Sequence, residues 1–304
     1  MFSYDKTVPD EVEHADRVVV VPDVHRDLDK ARRCLRAAGV IDARDTWTGG
    51  AAVVVQVGDQ VDGGDRSGRR RPRPHECHRA LREDVAVLRF FNRLHRQAAR
   101  QGGAVYSLLG NHEVMNAQGV FAYADTGGCP ACEALRERVF SPGGAVARIL
   151  ATTRAVYLRV GRVGFVHAGF MPWHLKAASP ARLNAIMTDA LLGNPRPRSD
   201  LALLGRVCMQ GDGALVTRAF TPDRHISRGQ TEEILAMLGV DHLVIGHNAS
   251  AGGIVPLHGG LVYVCDPGMS SAVMDAEPQA LEIRQSRRSR GCRFRVVSER
   301  SGRT

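Results

Sequence analysis

The segment Val105-Tyr-Ser-Leu-Leu-Gly-Asn-His-Glu113 decides how the rest of the chain is interpreted. Its apolar first half is short enough to form a buried strand, which ends at Gly110. Three polar residues, Asn111, His112 and Glu113, follow at once. They lie where a strand stops and a loop begins, which is the edge of an α/β sheet where ligands bind. Alone, the segment is equally compatible with an ordinary turn.

Similar junctions recur along the chain, each of them directly after an apolar run. The runs cover residues 17–21, 51–57, 162–166 and 242–245, and each predicts a buried strand. The polar residues that follow these runs and the opening segment are Asp23, His25, Asp59, Asp62, Asn111, His112, His167 and His247. Five junctions of this kind make coincidence improbable and predict one shared site.

These side chains suit a metal site. Carboxylate, imidazole and amide oxygen together favour Mn, Fe or Zn over calcium. Asp23 and His25 project to the same side of an extended segment, so they can chelate one ion. Asp59, from the neighbouring strand, could bridge to a second ion, which Asn111, His167 and His247 would complete. Two ions about 3.5–4 Å apart can clamp a phosphate and activate a bridging water.

Helical patterns alternate with the predicted strands and indicate an α/β fold. Residues 28–39 and 80–101 read as amphipathic helices, as do residues 179–192 and 231–238. For the last of these, Thr231 is the predicted N-cap and Gly239 the stop. A hairpin is expected around Gly161, and residues 281–283 are a candidate final strand.

The 304 residues read as one catalytic domain, residues 17–283, with additions. A polar leader, residues 1–16, precedes it. Within it we expect a basic insert at 66–79 and a cap or loop region at 117–155. An Arg-rich tail, residues 284–304, follows, and we expect it to be mobile.

The formal net charge of +9 comes from two segments. Residues 284–304 carry eight Arg against one Glu, and residues 66–79 carry six Arg against one Glu, which leaves 9 − 12 = −3 for the remainder. Such segments predict at most a weak contact with a polyanion. No apolar run approaches the roughly 18 residues of a membrane span, and the N-terminus lacks a signal-peptide pattern. An intracellular, cytoplasmic protein without membrane contact is therefore predicted; the sequence does not indicate an oligomeric state.

The seven cysteines are scattered and do not form a disulfide scaffold. Cys129-Pro-Ala-Cys132 is a CxxC pair, and Cys77 with His75 or His78 could complete a small structural zinc site. The alternative is unpaired thiols or a local redox pair.

The junction motifs resemble, in order and spacing, those of calcineurin-like metallophosphoesterases of the phosphoprotein phosphatase type. Three longer strings resemble the Shewanella-like protein phosphatase branch more narrowly: Val55-Gln-Val-Gly-Asp-Gln-Val61, Leu108-Leu-Gly-Asn-His-Glu-Val-Met-Asn116 and Asp266-Pro-Gly-Met-Ser270. This resemblance implies a four-layer α/β/β/α sandwich with a dinuclear metal site at the strand ends. The metal ions would be Mn, Fe or Zn.

The resemblance also implies roles for individual residues. Asp23 and His25 would hold the first metal and Asp59 would bridge. The second metal would be held by Asn111, His167 and His247, with Asn111 also near substrate. His112 would be the general acid, oriented by Asp62. Arg218 would bind the phosphate oxygens.

The chain departs from the family pattern at the phosphate-binding loops. Arg26 stands where the first motif usually has glycine, and Gly63 stands where the second usually has a phosphate-binding arginine. Arg66, three residues further on, is the candidate replacement; the alternative is a solvated arginine in a basic insert. These departures put phosphate affinity, and not metal binding, in question.

The leading hypothesis is a metal-dependent phosphatase that hydrolyses phosphomonoesters of phosphoproteins, on Ser/Thr or Tyr, by attack of a metal-bridging hydroxide. A nucleotide phosphohydrolase acting on dinucleoside polyphosphates would share these motifs. A third possibility is a pseudophosphatase that binds phosphoproteins or RNA without turnover. The complete set of apparent metal ligands favours an enzyme.

Overall fold

The computed structural model describes residues 7–64, 74–221, 226–286 and 291–299. Its first sheet contains six strands in the order β12-β11-β2-β3-β4-β5. The strands β2 to β5 run parallel, while β11 and β12 are antiparallel additions at one side. The strand bounds are β2 Arg17–Val21, β3 Val53–Gln56, β4 Ala104–Leu108, β5 Arg154–Ala155, β11 Gln279–Gln285 and β12 Cys292–Ser298.

The second sheet also contains six strands, in the order β1-β6-β7-β8-β10-β9. Strands β6 and β7 form the hairpin expected around Gly161, and β7, β8 and β10 run parallel. The bounds are β1 Glu11–Val12, β6 Tyr157–Val160, β7 Val163–Val166, β8 His242–Ile245, β9 Val255–Leu257 and β10 Val262–Val264.

Helices cover the outer faces of both sheets. Their bounds are α1 Leu28–Ala37, α2 Pro74–Ala99, α3 Asn111–Ala117, α4 Pro130–Phe140, α5 Ala145–Thr153, α6 Pro172–Ala177, α7 Pro180–Leu192, α8 Arg198–Leu204 and α9 Arg228–Leu238, with a π-helical turn at Gly205–Met209. In the described part of the chain, every helix is too short or too polar to span a membrane.

The valine run of β2 shows why four layers form. Val18 and Val20 pack between the two sheets, whereas Val19 and Val21 pack on the other face against α1 and α2. All four are fully buried, because a central parallel strand has neighbours on both faces. The predicted α/β/β/α sandwich is confirmed.

The tail prediction is wrong for residues 292–298. They form β12, which pairs antiparallel with β11 along its whole length. Phe294 stacks on Tyr263 at 4.1 Å between ring centroids, and Arg295 pairs with Glu282 at 2.6 Å. The alternating pattern Arg293-Phe-Arg-Val is typical of a strand with one exposed face, and its arginines lie on that exposed face.

Three other boundaries also shift. The predicted leader contributes β1, which pairs with β6. Helix α2 begins at Pro74, since proline suits a first helical turn, so part of the predicted insert is helical. Helix α9 is capped by Ser227 and not by Thr231, because the Ser227 side chain accepts from the Gln230 amide. Helices α4 and α5 lie in the predicted cap region, residues 117–155.

The cysteine predictions are corrected as well. Cys77 and Cys132 form a disulfide that joins α2 to α4, with 5.9 Å between their Cα atoms. Their sulfurs are therefore not available for the zinc site considered from the sequence. Cys129 is a free thiol, so the CxxC does not form a local pair.

Candidate metal centre and active site

The carboxyl ends of the parallel strands bring the predicted site residues together. Strand β2 pairs with β3 in parallel, so the loops that carry Asp23 and Asp59 are neighbours. The amides of Val24 and His25 donate to the Asp59 carbonyl oxygen at 3.0 and 2.8 Å. His25 and Asp59 have positive φ values of 42° and 50°, a strained conformation common at functional sites.

Asp59 lies at the centre of the site and is surrounded by imidazoles. Its Oδ2 atom is 3.3 Å from Nε2 of His167, 3.7 Å from Nε2 of His25 and 3.8 Å from Nε2 of His112. Burial raises the pKa of the Asp59 carboxyl, but His167 and His112 outweigh it and hold that pKa well below its ordinary value. Asp59 is therefore a buried anion placed between several candidate ligands.

Two clusters that could hold a metal ion share Asp59. One combines Asp59 with His25 and His112, and the other combines it with His167 and His247, with ligand atoms within 4.8 Å of one another in each. Asn111 joins the second cluster, since its Oδ1 lies 3.1 Å from Nε2 of His167.

Asp23, predicted for the first metal, lies beside these clusters. Its Oδ2 accepts a hydrogen bond from the His247 amide at 3.0 Å. Its Oδ1 is buried without a hydrogen-bond partner among the described residues. Burial, Asp266 and Asp59 raise the pKa of the Asp23 carboxyl well above its ordinary value. An unpartnered oxygen among like charges is relieved by a cation, so the residues present fit divalent metal ions.

Two glycines permit the close approach of these loops. A Cβ atom at Gly110 would overlap the Asp59 carboxylate, and one at Gly246 would overlap the Asp23 carboxylate. Any side chain at either position would displace a candidate ligand.

His112 is held rigidly next to the cluster. Its Nδ1 lies 3.0 Å from Oδ2 of Asp62, and its amide donates to Oδ1 of Asp59 at 3.0 Å. Asn116 donates to the same Asp62 oxygen at 2.8 Å. The imidazole can therefore present Nε2 towards the cluster while Asp62 accepts from Nδ1.

Arg136 is a member of this network that sequence reasoning missed. It is buried on α4 and pairs with Asp62 and, at 2.7 Å, with Asp84 on α2. Burial raises the pKa of Asp62, but Arg136 and His112 outweigh it, so the pKa is lowered overall. No motif marks Arg136 in the sequence, because its partners are distant in the chain.

Asp266 is a second residue that was missed. It is buried beside Asp23, and burial together with Asp59 raises its pKa to about 6 against the opposing Gly268 amide. It belongs to the Asp-Pro-Gly-Met-Ser string at the end of β10, and that position was the only signal available.

Glu113 supports the loop. Its carboxylate accepts hydrogen bonds from the amides of Asp59, Gln60, Val61 and Gly110 at 2.8–3.1 Å. The two strand-end turns are thereby joined.

The candidate phosphate-binding arginines differ in position. Arg218 is exposed and donates to the His247 carbonyl at 2.7 Å, so it lies at the rim of the second cluster. Arg66 lies outside the described residues. Arg26 lies beside Gly63, to whose carbonyl it donates at 2.9 Å.

The match of a family model decides the classification. The model for calcineurin-like phosphoesterases matches residues 16–251. The chain belongs to this family. This phosphoesterase is a hydrolase, and the family's divalent metal cofactors agree with the two clusters around Asp59.

Related proteins align with most of the chain. Shewanella-like protein phosphatase 2 of Arabidopsis thaliana is 27% identical over 320 residues, covering 90% of this chain and 76% of the relative. An uncharacterized protein of Schizosaccharomyces pombe is 28% identical over 282 residues, covering 88% and 77%. The name of the Arabidopsis relative supports phosphatase activity.

Solved structures share the fold of this phosphoesterase. A cold-active protein tyrosine phosphatase superposes with a TM-score of 0.75 at 23% identity, covering 93% of this chain and 78% of that one. A protein serine/threonine phosphatase of Saccharomyces cerevisiae superposes with a TM-score of 0.57 at 12% identity, covering 97% and 86%.

Proposed function

We propose that this phosphoesterase hydrolyses phosphomonoesters of phosphoproteins. The observation that carries the proposal is the position of His112, a buried imidazole held by Asp62 at 3.0 Å and directed at the Asp59 cluster. This is the arrangement that a general acid needs next to a phosphoryl group.

The metal ligands are proposed as a set. Asp23, His25 and Asp59 would hold one ion, and Asp59 with Asn111, His167 and His247 would hold the other. When bound, the ions supply Lewis-acid activation of the phosphoryl group and of the attacking water. The unpartnered Oδ1 of Asp23 and the sharing of Asp59 between two clusters support this assignment.

His112 would deliver a proton from Nε2 to the leaving oxygen. Asp62 accepts from Nδ1 and so selects the tautomer and the ring orientation. Arg136 keeps Asp62 ionised, so its carboxylate can accept from Nδ1 of His112. Arg218, at the rim of the site, is proposed to bind the phosphate oxygens as a bidentate donor.

The leaving group favoured by this geometry is aromatic. Tyr123 is 40% exposed, and its ring lies 5.0 Å from the His112 ring. An aromatic wall next to the proton donor can pack against a phenol ring at offset or edge distances. Phosphotyrosine is therefore proposed ahead of phosphoserine and phosphothreonine.

The test uses the purified protein loaded with Mn. We expect hydrolysis of p-nitrophenyl phosphate and of a phosphotyrosyl peptide, with slower turnover of the matched phosphoseryl and phosphothreonyl peptides. His112→Ala should lower kcat about 10²–10⁴-fold while the bound metal, measured by elemental analysis, stays the same. Full activity in that variant, or preferred turnover of a dinucleoside tetraphosphate, would overturn the proposal.

A cytoplasmic location, predicted from the sequence, stays a proposal. The Cys77–Cys132 disulfide is more typical of an oxidising compartment. Alkylation of free thiols in intact cells, followed by mass spectrometry of Cys77 and Cys132, distinguishes the cytoplasm from an oxidising compartment. Alkylated Cys77 would support the cytoplasm.

A further inference from the structure

Helix α2 carries a row of exposed arginines that the catalytic roles do not use. Arg82, Arg89 and Arg96 are spaced by seven residues, which is close to two helical turns. They therefore lie on one side of the helix, about 10 Å apart along its axis.

These three guanidinium groups are not neutralised within the described part of the chain, where none of them has an ion pair. Nearby arginines differ in this respect. Arg32 and Arg93 share Asp45 at 2.8 and 3.8 Å. The row is thus a line of uncompensated positive charge, which attracts an anionic partner.

The row borders a groove with an apolar floor. Its volume is about 900 Å³, and its accessible apolar lining comes from Leu28, Leu81, Val85 and Ala86. Charge along the edge and apolar surface beneath it suit a chain that carries both acidic and apolar side chains.

The groove leads to the candidate active site. A second cavity of about 400 Å³ shares Leu28 and Ala86 with it and is also lined by His25, Arg26 and Gly63, together with the carboxylates of Asp27, Asp29 and Glu83. The acidic side chains of a bound segment are therefore expected along the arginine row and not in this second cavity. His25 belongs to the Asp59 cluster. Helix α2 is also attached to the site directly, because Oδ1 of Asp84 accepts from the Asp62 amide at 3.0 Å.

We propose that this groove, the α2 arginine groove, binds an acidic extended segment of the protein substrate, beside the phosphorylated residue. The inference rests on the proposed phosphoprotein phosphatase function. In a polyproline II conformation every third residue lies on one side of the peptide, about 9 Å from the next. Acidic residues at every third position therefore match the spacing of Arg82, Arg89 and Arg96.

A peptide fits the groove better than a nucleic acid does. Sequence-tolerant binding of single strands needs open aromatic faces on which bases stack. The groove's aromatic residue among the described ones, Phe90, is 3% exposed. The guanidinium carbons of Arg32 and Arg93 each lie 5.6 Å from its ring centroid, so its faces are occupied.

The experiment compares Arg89→Glu/Arg96→Glu with a control, Arg138→Glu/Arg148→Glu, which makes the same change of charge at exposed positions outside the groove. The substrates are a phosphopeptide with Glu at every third flanking position, the same peptide with Gln instead, and p-nitrophenyl phosphate. We expect the groove variant to raise KM for the acidic peptide about tenfold. The groove variant should hydrolyse p-nitrophenyl phosphate at the rate of the unaltered protein. The control variant should keep the unaltered KM for the acidic peptide.

Equal KM values for the acidic and Gln peptides in the unaltered protein would overturn the inference. So would equal KM values for the acidic peptide in the groove and control variants. Fluorescence anisotropy with the unphosphorylated acidic peptide tests the groove without turnover, so a catalytically inactive protein could still confirm it. Failure to hydrolyse any phosphomonoester overturns the proposed function alone. Loss of binding to a single-stranded oligonucleotide, with peptide binding unchanged, would assign the groove to nucleic acid.

Discussion

The Nε atom of Arg26 lies 2.9 Å from the position that a Cβ atom at Gly63 would occupy. Arg26 also donates to the Gly63 carbonyl and pairs with Asp125. Proteins with the motif pattern that this chain resembles have glycine at the position of Arg26 and arginine at the position of Gly63. Here the arginine of the first loop occupies the space that a side chain at Gly63 would take. Arg26 has a positive φ of 66°, which is unfavourable for a residue other than glycine.

Replacement of Arg26 tests whether it binds phosphate. Arg26→Gly should weaken inhibition by inorganic phosphate about tenfold or more, because a charged donor is lost. Gly63→Arg should impair the protein, alone or combined with Arg26→Gly, because a Cβ atom there would lie 2.8 Å from the His25 carbonyl oxygen as well as 2.9 Å from Nε of Arg26. Inhibition constants and KM for p-nitrophenyl phosphate are the measurements, and unchanged values in Arg26→Gly would limit Arg26 to its contact with Asp125.

Removal of the Arg136 side chain should affect both stability and catalysis. Arg136→Met leaves the buried carboxylates of Asp62 and Asp84 without their cation, which costs about 3–5 kcal/mol of unfolding free energy. In urea denaturation, Arg136→Lys should recover part of this loss. kcat of the folded protein should fall as well, since Asp62 no longer orients His112 correctly. A normal unfolding midpoint in the Met variant would contradict the prediction.

Asp266 should make the metal-free protein sensitive to pH. Its pKa in the folded state is about 6, above the value of about 4 for an unfolded chain. Between these values the unfolded state binds fewer protons, so stability falls as pH rises from about 4 to about 6. Asp266→Asn should reduce the fall by about 2–3 kcal/mol, while Asp23, whose pKa is also raised, still contributes to it. Urea denaturation in EDTA at pH 4 and pH 7 measures the unfolding free energy at each pH. An equal fall between the two pH values in both proteins would refute the assignment.

The disulfide should stabilise the contact between α2 and α4. Cys77 and Cys132 are separated by 55 residues, and closing a loop of that length restricts the unfolded chain by about 4 kcal/mol. Cys132→Ser should lower the unfolding free energy by up to this amount. Cys129→Ser is the matched control and should leave it unchanged. A reducing agent should lower the stability of the unaltered protein but not that of Cys132→Ser.

The sequence alone determined the strands and the residues at their ends. Local patterns mark these strands: the valine runs before Asp23 and Asp59, and the segment ending at His112, can be recognised from a few neighbouring residues. Parallel pairing brings the strand ends of each sheet to one edge, and the packing of the two sheets then brings the predicted ligand Asp59 to His167 and His247.

Tertiary structure alone decided the contacts between distant segments. Arg136 reaches Asp62 across 74 residues, Arg26 takes the space beside Gly63 from 37 residues away, and Cys77 pairs with Cys132 and not with a neighbour. No periodic pattern encodes such pairs, because they depend on how distant helices and loops pack together. The candidate metal site can therefore be predicted from short motifs, whereas the residues proposed to orient the acid and to contact the substrate come together only when the chain has folded.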